Sequence, residues 1–478
     1  MPFIVWLSVT GGIYLFKPQI QALIDRPYND LALEQQPLPP SALIDAAQRA
    51  VPGAVLHRYV LPASENDARQ IVVGAGAQQT RVYVHPETGA VLKQVEEQSR
   101  FLRLVFHLHG ELLAGRWGSM LVELAASWAI VMLLTGLFLW WPRQTSRLAG
   151  VLYPRLRRRG RVFWRDMHAV TGVWVSLFAI VLILSGLPWA KNWGSYFNTV
   201  RSLTGTASVS QDWSQGSTAE AERRSRLDSG ARAALAGNDL RPAGGTVSPA
   251  MIDRMIGQAA TLGLAPPVEL SPPAEGERYW LVKSQAANRP RRSSVEMDPA
   301  TGRAIGRKDF ADGHWIDRTV GYGIALHEGA FLGLANQLFN LLVLVGLVLL
   351  SVSSVVLWLR RRPQHRLGAP EPRGDRPRSV LLILAILALV VLVPLFGASL
   401  ALVVIVERLC LRRWPRARRF LSLRRTAATA SRSRSPRGPR RPRTATRRCA
   451  VARRGAPRPR CTRRCRGSGC SRTASPSE

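Results

Sequence analysis

Four stretches of this 478-residue chain are apolar over lengths that can cross a bilayer, and they alternate with polar segments far too long to be turns. A spanning helix needs about 20 mostly apolar residues. The stretches run roughly from Trp117 to Trp141, His168 to Trp189, Phe331 to Leu359 and Val380 to Val406. A fifth, Pro2–Phe16, is apolar but short, with no basic region or small-residue cleavage site to mark a signal peptide. It reads as the second part of a helix whose start is missing. Pro394 and Gly397 interrupt the last stretch, which is one kinked span or a tight hairpin.

Orientation follows from Lys and Arg in the short connections. The connection after Trp141 holds Arg143, Arg147, Arg155, Arg157, Arg158, Arg159, Arg161 and Arg165, and the one after Leu359 holds Arg360, Arg361, Arg362 and Arg366. Both are expected in the cytoplasm, which puts the long polar segments 25–105 and 190–325 outside. Those segments contain no cysteine, so no disulfide holds them. All five cysteines (Cys410, Cys449, Cys461, Cys465, Cys470) lie at or beyond the last apolar stretch, and nothing around them predicts a zinc finger. Residues 411–478 are dominated by Arg, Pro, Ser, Ala and Thr, and Glu478 is the only acid. Such a tail is expected to be disordered, and it supplies most of the +35 net charge. With no aromatics interleaved beyond Phe420 to stack on bases, it reads as a non-native end, and nucleic acid is not an expected partner.

The sequence repeats itself. Arg81–Val91 and Ser293–Ile305 both read as strand, Pro-containing Thr-Gly turn, strand. Upstream of each lies a short helix opened by Pro and Ser, at Pro40–Ala47 and Ser248–Met255. His109-Gly110-Glu111-Leu112-Leu113-Ala114-Gly115 and His327-Glu328-Gly329-Ala330-Phe331-Leu332-Gly333 each place a histidine six residues before a glycine at the edge of a span. The unit is helix, outer α+β module, helix, used twice.

Ionisable residues at the ends of membrane helices are costly and point to function. His107, His109, His168 and His327 stand there, whereas His57, His85, His314 and His365 read as exposed polar residues. Two neutral imidazoles facing each other across a bundle can bind haem iron from both axial sides, giving an electron-transfer centre. Gly110, Ala169, Gly172 and Gly329 would leave room for the macrocycle. His109 or His107 with His327 completes an outer pair. By the repeat, His168 should be matched by a histidine at the start of the first helix, so the inner site is expected to lack one ligand.

These stretches resemble the PepSY-associated transmembrane family, known as iron-regulated membrane proteins, which includes ferric-siderophore reductases of the inner membrane. The likeness lies in Leu7–Pro18, Leu108–Gly118, Ala126–Val131, Thr135–Arg143, Trp164–His168 and Leu326–Gly329, and covers roughly residues 1–410. It implies a mainly α membrane protein, internally duplicated, with a helical bundle and two small periplasmic PepSY-like modules. The division that follows is a first helix at 1–24, module 1 at 25–106, helix 2 at 107–142, a basic cytoplasmic loop at 143–165 and helix 3 at 166–190. Module 2 then occupies 191–325, helix 4 326–360, a second loop 361–378 and the terminal hydrophobic segment 379–410. The resemblance further implies haem b, two per full-length member, held by His109, His168 and His327, with His107 as an addition. It implies electron flow from a separate cytoplasmic donor to a periplasmic ferric siderophore or other ferric chelate, hence iron uptake. No dinucleotide fingerprint is present to make the chain its own donor. The competing reading is non-enzymatic: a regulatory PepSY protein tethered in the inner membrane. A transporter would call for broken helices or charges at mid-membrane, and only the last span is broken.

Overall fold

In a computed structural model of the chain, residues 1–141, 148–206, 217–236, 248–361, 367, 380–414, 416, 420 and 421 are described. The basic tail beyond residue 421, His365, Arg143, Arg147, Arg362, Arg366 and every cysteine but Cys410 lie outside them.

The apolar stretches fold as the hydropathy requires, because every backbone N–H and C=O in a bilayer must be satisfied within its own segment. α1 (Pro2–Leu15) bends by 54° into α2 (Lys17–Asp25), where Pro18 supplies no N–H to continue the ladder. After the first polar segment come α4 (Phe101–Glu111) and α5 (Gly115–Trp140). α6 (Arg161–Gly186) returns, followed by α7 (Lys191–Leu203) and α8 (Ser217–Ala236). The second half ends with α10 (Trp315–His327) and α11 (Leu334–Arg361). α12 (Val380–Leu392) and α13 (Pro394–Val406) break at Val393, and the freed carbonyls of Val391 and Leu392 accept from Tyr196 Oη and Trp193 Nε1. Among the described residues four helices are long and apolar enough to cross a membrane, or five if the bent α1–α2 pair is one span. α6 packs along α11, which α1 also contacts.

The polar segments contain α3 (Pro40–Ala50) with β1 (Val55–Val60), β2 (Arg69–Ala75), β3 (Gln78–Val84) and β4 (Val91–Glu96), then α9 (Pro249–Thr261) with β5 (Val268–Ser271), β6 (Trp280–Ser284), β7 (Ser293–Met297) and β8 (Ala304–Asp309). Both anticipated hairpins form, as β3–β4 and β7–β8. The two sets of strands do not stay apart. They join as one antiparallel eight-stranded sheet, β4-β3-β2-β1-β5-β6-β7-β8, through Tyr59 opposite Leu270 and Val60 opposite Glu269. One face packs under α3 and α9 in a single core that includes Leu43, Leu56, Ile71, Met255, Leu270 and Trp280. Ser41 at the start of α3 donates through its N–H and hydroxyl to both carboxylate oxygens of Asp253 on α9, at 2.7 and 2.8 Å. The carboxylate thus satisfies donors at a helix N-terminus that has no side-chain cap of its own.

The opposite face of the sheet carries charge. Arg81 pairs with Glu97, which also meets Arg58 and Arg100, while Arg58 reaches Glu269 on β5. Burial alone would raise the Glu97 carboxyl, but the surrounding guanidiniums of Arg81, Arg58 and Arg100 outweigh it and hold it at about 2. His57, expected at the surface, is fully buried here. Its Nδ1 accepts from Gln79 at 2.8 Å and its Nε2–H donates to Asp228 of α8 at 3.1 Å. This fixes a neutral tautomer, consistent with burial pushing its pKa down against the pull of Asp228. His314 is exposed, and its ring caps α10 by accepting from the N–H of Ile316.

Candidate functional site

The histidines singled out at the helix ends occupy less regular places than expected. His107 and His109 lie near the C-terminus of α4, a helix separate from the α5 span, and His327 is the last residue of α10, separate from α11. The chain turns between α4 and α5 through Leu112 and Leu113, both left-handed, at φ 51 and 56°. Left-handed backbone costs a non-glycine residue of order 1–3 kcal/mol and tends to collect at sites where geometry matters more than stability. The buried Arg201 of α7 holds α10 in place with a two-pronged ion pair to Asp317 (Nη1–Oδ1 2.6 Å, Nη2–Oδ2 3.0 Å).

This arrangement brings His109 and His327 together edge-on, with ring centroids 6.4 Å apart and planes at 72°. His107 is turned aside: its Nδ1 lies 3.4 Å from Glu111 Oε2, and its ring lies edge-on to Phe106. His168 lies nearer the other end of α6. His327 touches Leu182 and Ser185 of that helix, so at 1.5 Å per residue His168 is about 20–25 Å away along its axis.

One device tethers all three rings. The Thr10 hydroxyl gives its proton to the Trp6 carbonyl and accepts from His109 Nδ1–H at 2.9 Å. His327 Nδ1 lies 2.8 Å from the Leu182 carbonyl and 3.1 Å from Ser185 Oγ; a carbonyl can only accept, so Nδ1 carries the proton. Ser353 donates to the Leu350 carbonyl and accepts from His168 Nδ1–H at 3.0 Å. Each ring is thereby held in the tautomer that leaves Nε2 with a free lone pair. Glycines follow two of the tethering residues, and each meets the ring beside it. A Cβ on Gly11 would lie 3.1 Å from His109 Cε1, and one on Gly186 would lie 3.1 Å from His327 Cε1. Sequence reasoning missed these tethers, whose signal was a hydroxyl residue followed by glycine in both α1 and α6.

A cavity of about 720 Å³ joins the sites. It runs from His107, His109 and His327 to His168, Arg165 and Arg361, between mostly apolar walls. Gly110, Ala169 and Gly172 line it as expected. Gly329 does not; its φ is +72° and its Cα faces Gln337 and Leu15. At the far end Asp166, fully buried, anchors the basic loop by accepting from Arg155 Nε (2.7 Å) and Nη2 (3.0 Å) and from Arg165 Nη2 (2.6 Å). Trp140 and Trp174 add hydrogen bonds to the Val151 and Leu152 carbonyls.

Among the described residues no three or more His, Cys, Asp or Glu side chains gather where they could hold a metal ion. A bare ion would find two imidazoles, whereas a group that brings its own equatorial ligands needs only those two. Two rings bound through Nε2 at about 2 Å to one metal would have centroids about 6 Å apart, close to the spacing of His109 and His327. The residues present therefore fit a haem.

Comparison with curated proteins yields no match. The model of the PepSY-associated TM region matches residues 1–361, three quarters of the chain, and the protein belongs to that family.

Proposed function

We propose that this protein is an internally duplicated electron-transfer protein of the bacterial inner membrane, passing electrons from a separate donor at its basic-loop end to a ferric chelate such as a ferric siderophore at its sheet end. The observation that carries the reading is the close pair His109–His327, each ring tethered through Nδ1 and lining an apolar cavity. Ligating histidines characteristically donate their other ring N–H to a fixed acceptor, which sets tautomer and orientation. His109 and His327 would hold one haem b, and His168 would contribute to a second toward the opposite end. The bound group supplies one-electron chemistry. Thr10, Ser185 and Leu182 keep the imidazoles neutral and aimed, and the apolar walls exclude water. The exposed Arg157, Arg158 and Arg159 support a cytoplasmic placement of the loop end, by the excess of positive charge on that side of membranes. The sheet then lies in the periplasm, where it would help dock the chelate.

The test is the absorption spectrum of the detergent-solubilised protein. Sharp Soret and α bands that respond to dithionite are expected, and His327→Ala should remove the population bound at that pair while the chain still inserts. A colourless protein would overturn the reading in favour of a tethered PepSY regulator.

A further inference from the structure

A carboxylate lies in the same cavity wall. Glu123, on α5, is 1 % exposed and lines the cavity together with Ser119 on the same helix. Its Oε2 accepts from the Trp193 N–H at the start of α7, at 3.2 Å. Its Oε1 is buried and makes no hydrogen bond of good geometry, although the backbone N–H and side-chain amide of Asn192 lie beside the carboxylate. No ion pair engages the side chain among the described residues. A lone carboxylate in a low-dielectric interior is costly in its charged form, and an intramembrane ionisable group is by default a functional one. The bundle does not require an acid at this position. Fourteen residues beyond His109 stands Glu123, and fourteen beyond His327 stands Leu341. The charge belongs to one half only.

We propose that Glu123 is the proton acceptor coupled to the His109–His327 site, taking up one proton as that site gains one electron and releasing it when the electron leaves. The inference rests on the haem reading above. The electron comes from the one-electron donor of that reading and the proton from water, so the charge inside the cavity is the same before and after. Oε1, the oxygen without a hydrogen bond of good geometry, is where the proton would settle. Trp193 N–H would continue to hold Oε2.

Other groups could compete for the proton, and their positions distinguish them. α4 contributes Arg103, His107 and Glu111; α7 contributes Lys191, Tyr196 and Arg201; α1 contributes only Tyr14. α6 carries Arg161, Arg165, Asp166 and His168, all in its first turns, at the far end of the cavity. α12 and α13 carry no titratable side chain. Glu111 and Glu328 are the strongest competitors, because both also line the cavity. Glu111 is paired with His107, and Glu328 directly follows His327, so Glu328→Gln belongs beside Glu111→Gln as a control.

The test is a redox titration of the haem bands of the purified full chain over a range of pH. A tenfold change in proton concentration corresponds to about 59 mV for a one-electron couple. One component of the wild type should therefore fall by up to about 59 mV per pH unit. Glu123→Gln, which keeps the shape and the acceptor for Trp193 N–H, should flatten that component at unchanged haem content. A flat wild type, an unchanged slope in Glu123→Gln, or a slope abolished instead by Glu111→Gln or Glu328→Gln overturns the proposal and leaves the haem reading standing. A protein without haem bands overturns both. If Glu123→Gln does not load, the wild-type reduced-minus-oxidised infrared spectrum decides. A deuterium-sensitive carboxylic C=O band supports the proposal, and its absence refutes it.

Discussion

Gly74→Ala should act almost entirely through His57. A Cβ at position 74 would lie 2.2 Å from His57 Cε1 and 2.5 Å from both ring nitrogens, against a comfortable carbon contact of about 3.5 Å. The imidazole must retreat by roughly 1 Å, and both of its hydrogen bonds break. The bond from Gln79 is neutral and worth about 1 kcal/mol, and the bond to the Asp228 carboxylate is worth about 1.5–3. No water reaches a fully buried ring to replace them, so the expected cost is about 3 kcal/mol. Thermal melting of the detergent-solubilised protein should register this as lost stability, and hydrogen exchange should localise it to β1, β2 and α8. In a His57→Ala background the same substitution has nothing to displace, so the double mutant should show a coupling of about 2–3 kcal/mol. Additive effects of the two substitutions would refute the argument. Because burial lowers the His57 pKa, its contribution is complete above the unfolded value of 6.5 and declines as pH falls below it.

Thr10→Val removes the side-chain tether of His109, and Gly186→Ala pushes a Cβ to 3.1 Å from His327 Cε1. Ser185→Ala leaves the Leu182 carbonyl on His327 Nδ1 and should have little effect. The first two are the informative substitutions, and each should weaken haem retention about 10- to 100-fold, measured by transfer to apomyoglobin. Arg201→Met should free α10 at a local cost of about 3–5 kcal/mol, because Asp317 loses its buried partner. Faster hydrogen exchange across Trp315–His327 would report it. Glu97 is held at about 2 from an ordinary 4.5, so its contribution, roughly 3 kcal/mol, is present above pH 4.5 and lost as pH falls toward 2. Glu97→Gln should flatten that acid limb in melting experiments.

The membrane helices were legible because hydropathy over twenty residues is a long and redundant signal. The hairpins were legible because Pro and Gly mark turns wherever they recur, as around Gly89 and Gly302. Other features left no local trace. Leu112 and Leu113 reverse the chain without a glycine at either position, so α4 reads as continuous with α5. His57 is buried because a bulge between Leu56 and Arg58 sets it beside Gly74, and a bulge is a property of pairing rather than of one strand. The pairing of β1 with β5 joins residues about two hundred positions apart, and neither strand differs in sequence from one that ends a sheet. His109 and His327 were found by their spacing to glycine. The choice of His109 over His107 came only from which ring α4 turns inward.

The continuous sheet also has a consequence in time. β1 is complete long before β5 exists, and the chain between them contains all of α5 and α6. At about 5–20 residues per second, the ribosome needs roughly 10–40 s to make that interval. Throughout it, the first four strands carry an open edge at β1, the position where a foreign strand could add. The bulge at Leu56–Arg58 lies on that waiting edge, and bulges disrupt pairing with strangers. A newborn chain of this protein thus guards a vacant strand position until its own second half arrives to fill it.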